Sequence, residues 1–366
     1  MFTDFTGYIP FIKRESKAVL LFSACFFFLG NAMGQASNLF DDDDDVLELN
    51  LRGDLKTAFK DRGDEPQYHP ATIRYMANGK EINMPIEIKT RGHFRKLSSN
   101  SKYPPIFLKF TKNTTPQSAV FYGQNKVKLV TPCQDDQYVI NEYLVYKLYN
   151  LITPKSFKAK LVKVIYQDTV KNKGSDPYYG ILLEEEKQMV MRNQCLSLKK
   201  MRLRPEIILK DDFLKMAVFE YMIGNTDWSV QYLQNIKLIT TDSISIPTAI
   251  PYDFDQAGIV RASYAKPAPE LQMGSTLKRR YRGYCIPEMD QFTEVFETFN
   301  KLKDDFYAIY DGNPLLSSNY QTQTLKYLDQ FYETINDPKK AQKAFCYPCN
   351  KSGTGNIVIK GLKKNE

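Results

Sequence analysis

Hydrophobic periodicity switches once along this chain, near Arg204. Before that point short apolar runs alternate residue by residue; beyond it apolar side chains recur at helical spacing. Such a chain has to build a sheet-bearing half followed by a helical half. In the first half LELNL, ATIRYM, MPIEIKT, PIFLKF and KVKLV are separated by Asn-Gly, Pro-Pro and Tyr-Gly-Gln-Asn, which predicts a meander of antiparallel strands. One helix is inserted, over Gln137–Ile152, where Val139, Ile140, Tyr143, Leu144, Leu148 and Leu151 recur at helical spacing. The runs AKLVKVIY and YYGILLEEE then read as two more strands joined by KNKGSDP. In the second half helices are expected over Ile207–Ile223, Met289–Asp311 and Thr322–Ile335, interrupted by strands in NIKLIT and AIPYDFD. The fold class is α+β, with a β-rich lobe over 48–200, a helical lobe over 201–340 and a Cys- and Lys-containing tail over 341–366.

The amino-terminus carries a different signal. Lys13, Arg14 and Lys17 precede an apolar run from Ala18 to Leu29, and Ala32-Met33-Gly34 offers small residues where a signal peptidase cuts. That run is short for a membrane span. Residues 1–34 are therefore read as a cleaved secretory signal, with an uncleaved anchor as the alternative. The mature protein is expected to be secreted or periplasmic, without a stable membrane span. Cys25 is followed by FFFLG, not by the polar linker of a lipidated cysteine. Residues 35–47 read as an acidic linker. Its run Asp41–Asp45 is a self-repelling spacer, because adjacent carboxylates without a Gly turn cannot converge on one Ca²⁺.

Removing the signal deletes Lys13, Arg14 and Lys17 against Asp4 and Glu15, so the net charge of +8 becomes +7. That favours anionic ligands such as phosphates. No Lys/Arg stripe is interleaved with aromatics, so no nucleic-acid partner is expected. The mature cysteines, Cys133, Cys195, Cys285, Cys346 and Cys349, permit two disulfides with one thiol over. Cys346-Tyr-Pro-Cys349 has CxxC spacing, yet no second pair is near. A local disulfide or two unpaired cysteines is expected there ahead of zinc or redox chemistry. With His69 and His93 as the only histidines, Ser-His-Asp and Cys-His hydrolases are disfavoured.

Chemistry concentrates between Gly224 and Asp255, where GNTDWSVQYLQNIKLI leads into IPYDFD. Asp227 lies in a loop after a helix, Asn235 enters a strand, and Asp253 and Asp255 close the next strand. One carboxylate to orient a hydroxyl, with an amide and further carboxylates to hold Mg²⁺ on phosphates, is the order phosphoryl transfer needs. On a strand Asp253 and Asp255 would face one side, with Phe254 turned away. Two such carboxylates call for a cation between them, either Mg²⁺ or Mn²⁺ or the Arg and Lys side chains of a domain seam.

Three further features bear on the same chemistry. The turn Thr90-Arg91-Gly92-His93-Phe94-Arg95 could bring backbone and two guanidinium groups to a phosphate. A strand lysine should touch the phosphates and be oriented by a helix carboxylate. Lys109 in PIFLKF is the best placed, with Lys128 in KVKLV as the alternative, and Glu142 is the carboxylate, costly in mid-helix unless it meets a cation. Glu184, Glu185 and Glu186 end a strand as a solvated turn, one of them available to a nucleotide ribose.

In these elements the chain resembles the CotH (spore coat protein H type) family of secreted kinases and, more distantly, HipA-type kinases. The matching elements are Arg91-Gly92 with Arg95, the helix opening at Asn141-Glu142, YYGILLEEE, GNTDW and YDFD, together spanning roughly residues 50–260 in order. It is similar also to secreted proteins of Bacteroidetes-type bacteria sharing TRGHFR, GNTDWS and PYDFD. Asn235 follows Asp227 at a longer distance than is usual in the CotH family, and His93-Phe94 replaces small polar residues. The resemblance implies a bilobal atypical protein-kinase-like fold with ATP and Mg²⁺ or Mn²⁺ as cofactors. It implies as substrate a secreted or envelope protein bearing a Ser, Thr or Tyr hydroxyl. It puts Asp227 in the catalytic position, Asn235 with Asp253 or Asp255 on the metal, and Arg91, Lys109 and Glu142 around the nucleotide. The rival readings are a non-catalytic envelope-binding module with a structural metal, and a metal-dependent phosphatase or nuclease, disfavoured because such sites commonly recruit His.

Overall fold

The alternating runs of the first half form β1 (Leu47–Gly53), β2 (His69–Ala77), β3 (Lys80–Thr90), β4 (Ile106–Lys109) and β5 (Lys126–Val130), with a short helix α1 (Leu55–Lys60) after β1. The inserted helix is α2 (Asp136–Ile152), and β6 (Ala159–Asp168), β7 (Lys173–Gly174) and β8 (Tyr178–Leu183) follow it. These belong to a computed structural model that describes residues 39–41, 46–77, 79–111, 115–354 and 357. The expected signal segment, Cys25 and the acidic run 42–45 lie outside the described residues. Within the stretch read as a linker, Leu39 and Phe40 are buried in the core of the β-rich half, so that part is anchored by apolar burial.

The eight-stranded sheet runs β1-β2-β3-β4-β5-β8-β6-β7, so the expected meander holds from β1 to β5. It does not stay open. β1 also pairs with β6 in parallel, Leu47 opposite Val162 through Gly53 opposite Asp168, and this closes the sheet into a barrel with β7 appended to β6. Alternation explains the filling: Leu49 and Leu51, Ile86 and Ile88, and Val127 and Leu129 point inward.

The second half contains α3 (Glu186–Arg192), β9 (Leu196–Leu198), α4 (Lys210–Ile223), β10 (Ile236–Thr240), β11 (Thr248–Pro251), α5 (Thr293–Lys301), α6 (Lys303–Ala308), α7 (Ser318–Asn336) and α8 (Pro338–Phe345). Among the described residues no helix is long and apolar enough to cross a membrane. The helix expected over Met289–Asp311 is divided into a 3₁₀ turn, α5 and α6; Asp304 and Asp305 sit in the first turn of α6, where acids favour a new helix start. The boundary drawn at residue 341 falls inside α8, which buries Ala341 and Phe345. A second apolar core unites α4, α5, α7 and α8 with most of α2 and with Leu161, Ile181 and Leu183 of the barrel. The inserted helix thus faces the helical half while its connections belong to the sheet, which sets Glu142 between the two cores.

Cys285 and Cys349 form a disulfide, whereas Cys133, Cys195 and Cys346 are free thiols. The local Cys346–Cys349 pairing is not made, because Cys349 reaches across to the loop carrying Cys285.

Gly224 ends α4 in the left-handed conformation, φ 70°, with its N–H donating to the carbonyls of Glu220 and Tyr221. A Cβ there would meet the Tyr327 hydroxyl. Gly224→Ala is therefore expected to cost about 1–2 kcal/mol or more, from backbone strain plus displacement of Tyr327. Urea unfolding measures it, and an unchanged midpoint would contradict the cap.

Candidate functional site

The site is built where three segments meet: the loop after α4, the ends of the β10–β11 hairpin, and the turn after β3 with the facing residues of α2. The loop is shaped by its own amides. Asn225 N–H donates to the Glu220 carbonyl at 2.8 Å, and the Asn225 Oδ1 accepts the Asp227 N–H at 3.0 Å. Arg282 holds the loop from outside, its guanidinium donating to the carbonyls of Thr226 and Trp228.

Asn235 donates its side-chain amide to Asp227, to the backbone carbonyl at 2.7 Å and to Oδ2 at 3.0 Å. The long stretch between them folds back on itself. Ser229 and Gln234 exchange both backbone N–H···O bonds at 3.0 Å, returning the chain to its start. Asn235 itself sits at φ 50°, a left-handed conformation that Asn tolerates better than most residues.

The strand expected through Asp255 stops earlier, at Pro251. Asp253 is also left-handed, φ 64°, and its N–H donates to the Tyr146 hydroxyl of α2 at 2.9 Å. That turn ends the pleat, so strand alternation does not govern where Asp253 and Asp255 point. Asp255 is buried and paired with Arg95, Oδ2 to Nη2 at 2.9 Å, while Phe254 packs on Tyr146 and Phe219.

Arg95 is the cation that Glu142 needs. Its Nη2 reaches Glu142 Oε2 at 2.7 Å, and both side chains are buried. Lys109, expected in that role, is not brought to the cluster. The β3–β4 register sets it opposite Glu87, and the two pair at 2.6 Å on the exposed barrel surface. The alternative, Lys128, does approach. Its ammonium lies 5.3 Å from the Tyr252 ring, and Lys237 of β10 lies 5.5 Å from the same ring. Burial, with Arg91 and Lys237 nearby, pushes Lys128 down to about 8, against the pull of Asp253 and Glu186. Arg91 is half-buried against the Phe107 ring and is drawn electrostatically to Asp253.

The carboxylates respond to this crowding. Burial first, then the charges of Asp255 and Asp253, raises Asp227 to about 6, while Asn235 and Arg282 hold it back. Burial raises Glu142 and Asp255 as well, opposed chiefly by the Arg95 they share. Glu220, buried beneath the loop, is raised well above the usual carboxylate range. Glu184, Glu185 and Glu186 are not a solvated turn: they pair with Arg192, Lys126 and Lys237 respectively.

Among the described residues no group of three or more His, Cys, Asp or Glu side chains could hold a metal by itself. Asn235 Nδ2 faces Asp227 and Asp255 faces Arg95, which leaves Asp253 as the best placed of the expected metal residues. A divalent ion here would take most of its ligands from phosphate oxygens and water, as Mg²⁺ commonly does. The gathering of Arg91, Lys128 and Lys237 fits polyphosphate charge. Sequence reasoning missed Lys237, Arg282 and Tyr146. Only Lys237 left a signal there, as the one charged residue of β10.

Fold and site thus define an α+β protein with a closed sheet, a helical second half and a half-buried acidic and basic cluster at their junction. No protein-family model matches the chain, and no curated protein matches it. Among solved structures it is similar to the crystal structure of a Helicobacter pylori proinflammatory kinase, CtkA, at 12% identity and a TM-score of 0.40, covering 70% of this chain and 94% of that one. A likeness of that size carries no argument about fold or activity.

Proposed function

We propose that this chain is an atypical kinase of bilobal arrangement, with the barrel and the helical half as its lobes. It would transfer a nucleotide phosphoryl group to a Ser, Thr or Tyr hydroxyl of a secreted or envelope protein. The observation that carries this reading is the pairing of Asn235 with Asp227 beside Asp253, close to Arg91, Lys128 and Lys237. Bound there, ATP with Mg²⁺ or Mn²⁺ supplies the phosphoryl group and the charge neutralisation.

Asp227 orients the acceptor hydroxyl and takes its proton, a task suited to a carboxyl held near 6. Asn235 fixes the Asp227 carboxylate and is the amide available to a metal. Asp253 is the principal metal carboxylate. Arg91 and Lys128, in place of Lys109, neutralise phosphate. Glu142, Arg95 and Asp255 act together as the buried tie between sheet and helices.

Thermal unfolding tests this. ATP with Mg²⁺ or Mn²⁺ at a hundredfold excess over Kd should stabilise the protein by about 2.7 kcal/mol, and Asp253→Ala should abolish the response. No shift with any nucleotide and metal pair would remove the reading.

A non-catalytic binding module is the second reading, favoured by one observation. Arg95 engages both Glu142 and Asp255, so a cation and a carboxylate that a kinase needs at its substrates are bound to each other. With a structural metal as its only ligand at the cluster, it predicts stabilisation by Mg²⁺ or Mn²⁺ alone, no further shift with nucleotide, and no transfer of label from ATP to any protein.

A further inference from the structure

A cavity of about 320 Å³ opens beside the loop, lined by Arg204, Glu206, Trp228, Gln231, Arg282 and Tyr284 among others. Trp228 directly follows Asp227 in the chain. The cavity and the proposed base also share Arg282, which lines the one and electrostatically restrains the other.

Its charge is lopsided. Arg282 is engaged by backbone carbonyls, so it contributes field more than free donors. Arg204 is 76% exposed, and its partner Glu206 is the one carboxylate among the lining residues, 3.3 Å away in an exposed and therefore weak pair. Lys199, Lys200 and Arg202, all exposed, lead into Arg204. They are tied to the loop by the Arg202 N–H, which donates to the Gln231 carbonyl at 2.6 Å.

An unmet donor lies behind the wall. Trp228 is only 3% exposed, and its indole N–H has no acceptor among the described residues.

We propose that this cavity is the acceptor subsite of the phosphoryl-transfer centre and takes an acidic polypeptide segment, with Asp or Glu close to the hydroxyl that is modified. The inference rests on the kinase reading for its role, but not for its ligand. Arg204 supplies the charged contact, and the basic stretch from Lys199 steers the segment in. Aromatic walls from Trp228 and Tyr284 hold its backbone.

Trp228 is the sole tryptophan of the chain, so its fluorescence reports on this cavity directly. The full protein should be titrated with a short peptide carrying Ser among Glu residues, with the same peptide in which Lys replaces Glu, and with phosphatidylglycerol vesicles. The acidic peptide should give a saturable change, weakened by salt, with the basic peptide binding at least about tenfold less tightly. Arg204→Glu, at an exposed position that folding does not depend on, should weaken the acidic peptide about tenfold and raise its KM in transfer with little change in kcat. Equal response to both peptides, no response to the acidic one, or a response to vesicles alone would overturn the proposal. Nucleotide-dependent thermal shifts on the same sample separate the two readings: saturable peptide binding without any nucleotide shift removes the kinase and leaves the acidic-peptide site.

Discussion

Asp227→Asn is expected to lower phosphoryl transfer by about 10²–10⁴-fold, the usual contribution of a positioned base, while leaving the nucleotide-dependent thermal shift in place. Asn235 can still donate to the carbonyl of residue 227 and to a side-chain oxygen there, so the loop keeps its shape. Wild-type kcat/KM should rise about tenfold per pH unit at acid pH and level off above about 6, the value at which the Asp227 carboxyl is held. The variant should lose that limb. Stability should move in the opposite sense. A carboxyl raised from 3.8 to about 6 binds its proton more tightly folded than unfolded, so its contribution to stability falls as pH rises through that interval. The neutral Asn is free of this, and Asp227→Asn should gain stability relative to wild type at pH 8 compared with pH 4. Transfer retained within a few-fold, with the acid limb intact, would show that another group takes the proton.

Arg95→Met should be the most destabilising single change at the junction. It removes the guanidinium that meets Glu142 at 2.7 Å and Asp255 at 2.9 Å and leaves two buried carboxylates facing each other. Breaking a buried pair from one side costs about 3–5 kcal/mol. The sign of its pH dependence follows from the same geometry. Both carboxyls already titrate above their usual range through burial, and without Arg95 they rise further. Protonation then relieves the repulsion, so the loss should be larger at pH 8 than at pH 5. Urea unfolding at the two pH values measures this. A loss under about 1 kcal/mol at both would mean that the pair is solvated, as exposed pairs are.

The strands of the first half were legible because alternation and turn residues are local, and α2 and α4 because each is a long, mostly apolar run, buried on nearly every side. The closure of the sheet was not. A parallel pairing between β1 and β6 leaves no mark in either segment, since each reads as an ordinary strand. Lys109 and Lys128 occupy outward positions on neighbouring strands and look alike in sequence. Only the register, Lys109 opposite Glu87 and Lys128 opposite Leu183, separates an exposed ion pair from a lysine at the junction. The strand through Asp253 failed for a backbone reason: two residues past the end of β11 the chain turns left-handed at Asp253, and the amino acid alone does not announce it. Disulfide pairing is set by folding, and Cys285–Cys349 joins residues 64 apart in the chain. The residue types at the site were readable, and their grouping in part. Asp227, Asn235 and Asp253 gather as expected, while the partner of Glu142 lay in Arg95, in the turn singled out for phosphate.

The parallel seam between Leu47–Gly53 and Val162–Asp168 also governs how the protein can be made and cut. While the chain is being synthesised, β1 waits for its neighbour until about residue 168 has emerged, with a bare edge that can pair with another nascent chain. A protease cut between the two segments would leave fragments held by strand pairing and the shared apolar core. An amino-terminal fragment ending before β6 is accordingly expected to aggregate, whereas one that includes β8 has every edge of the ring covered.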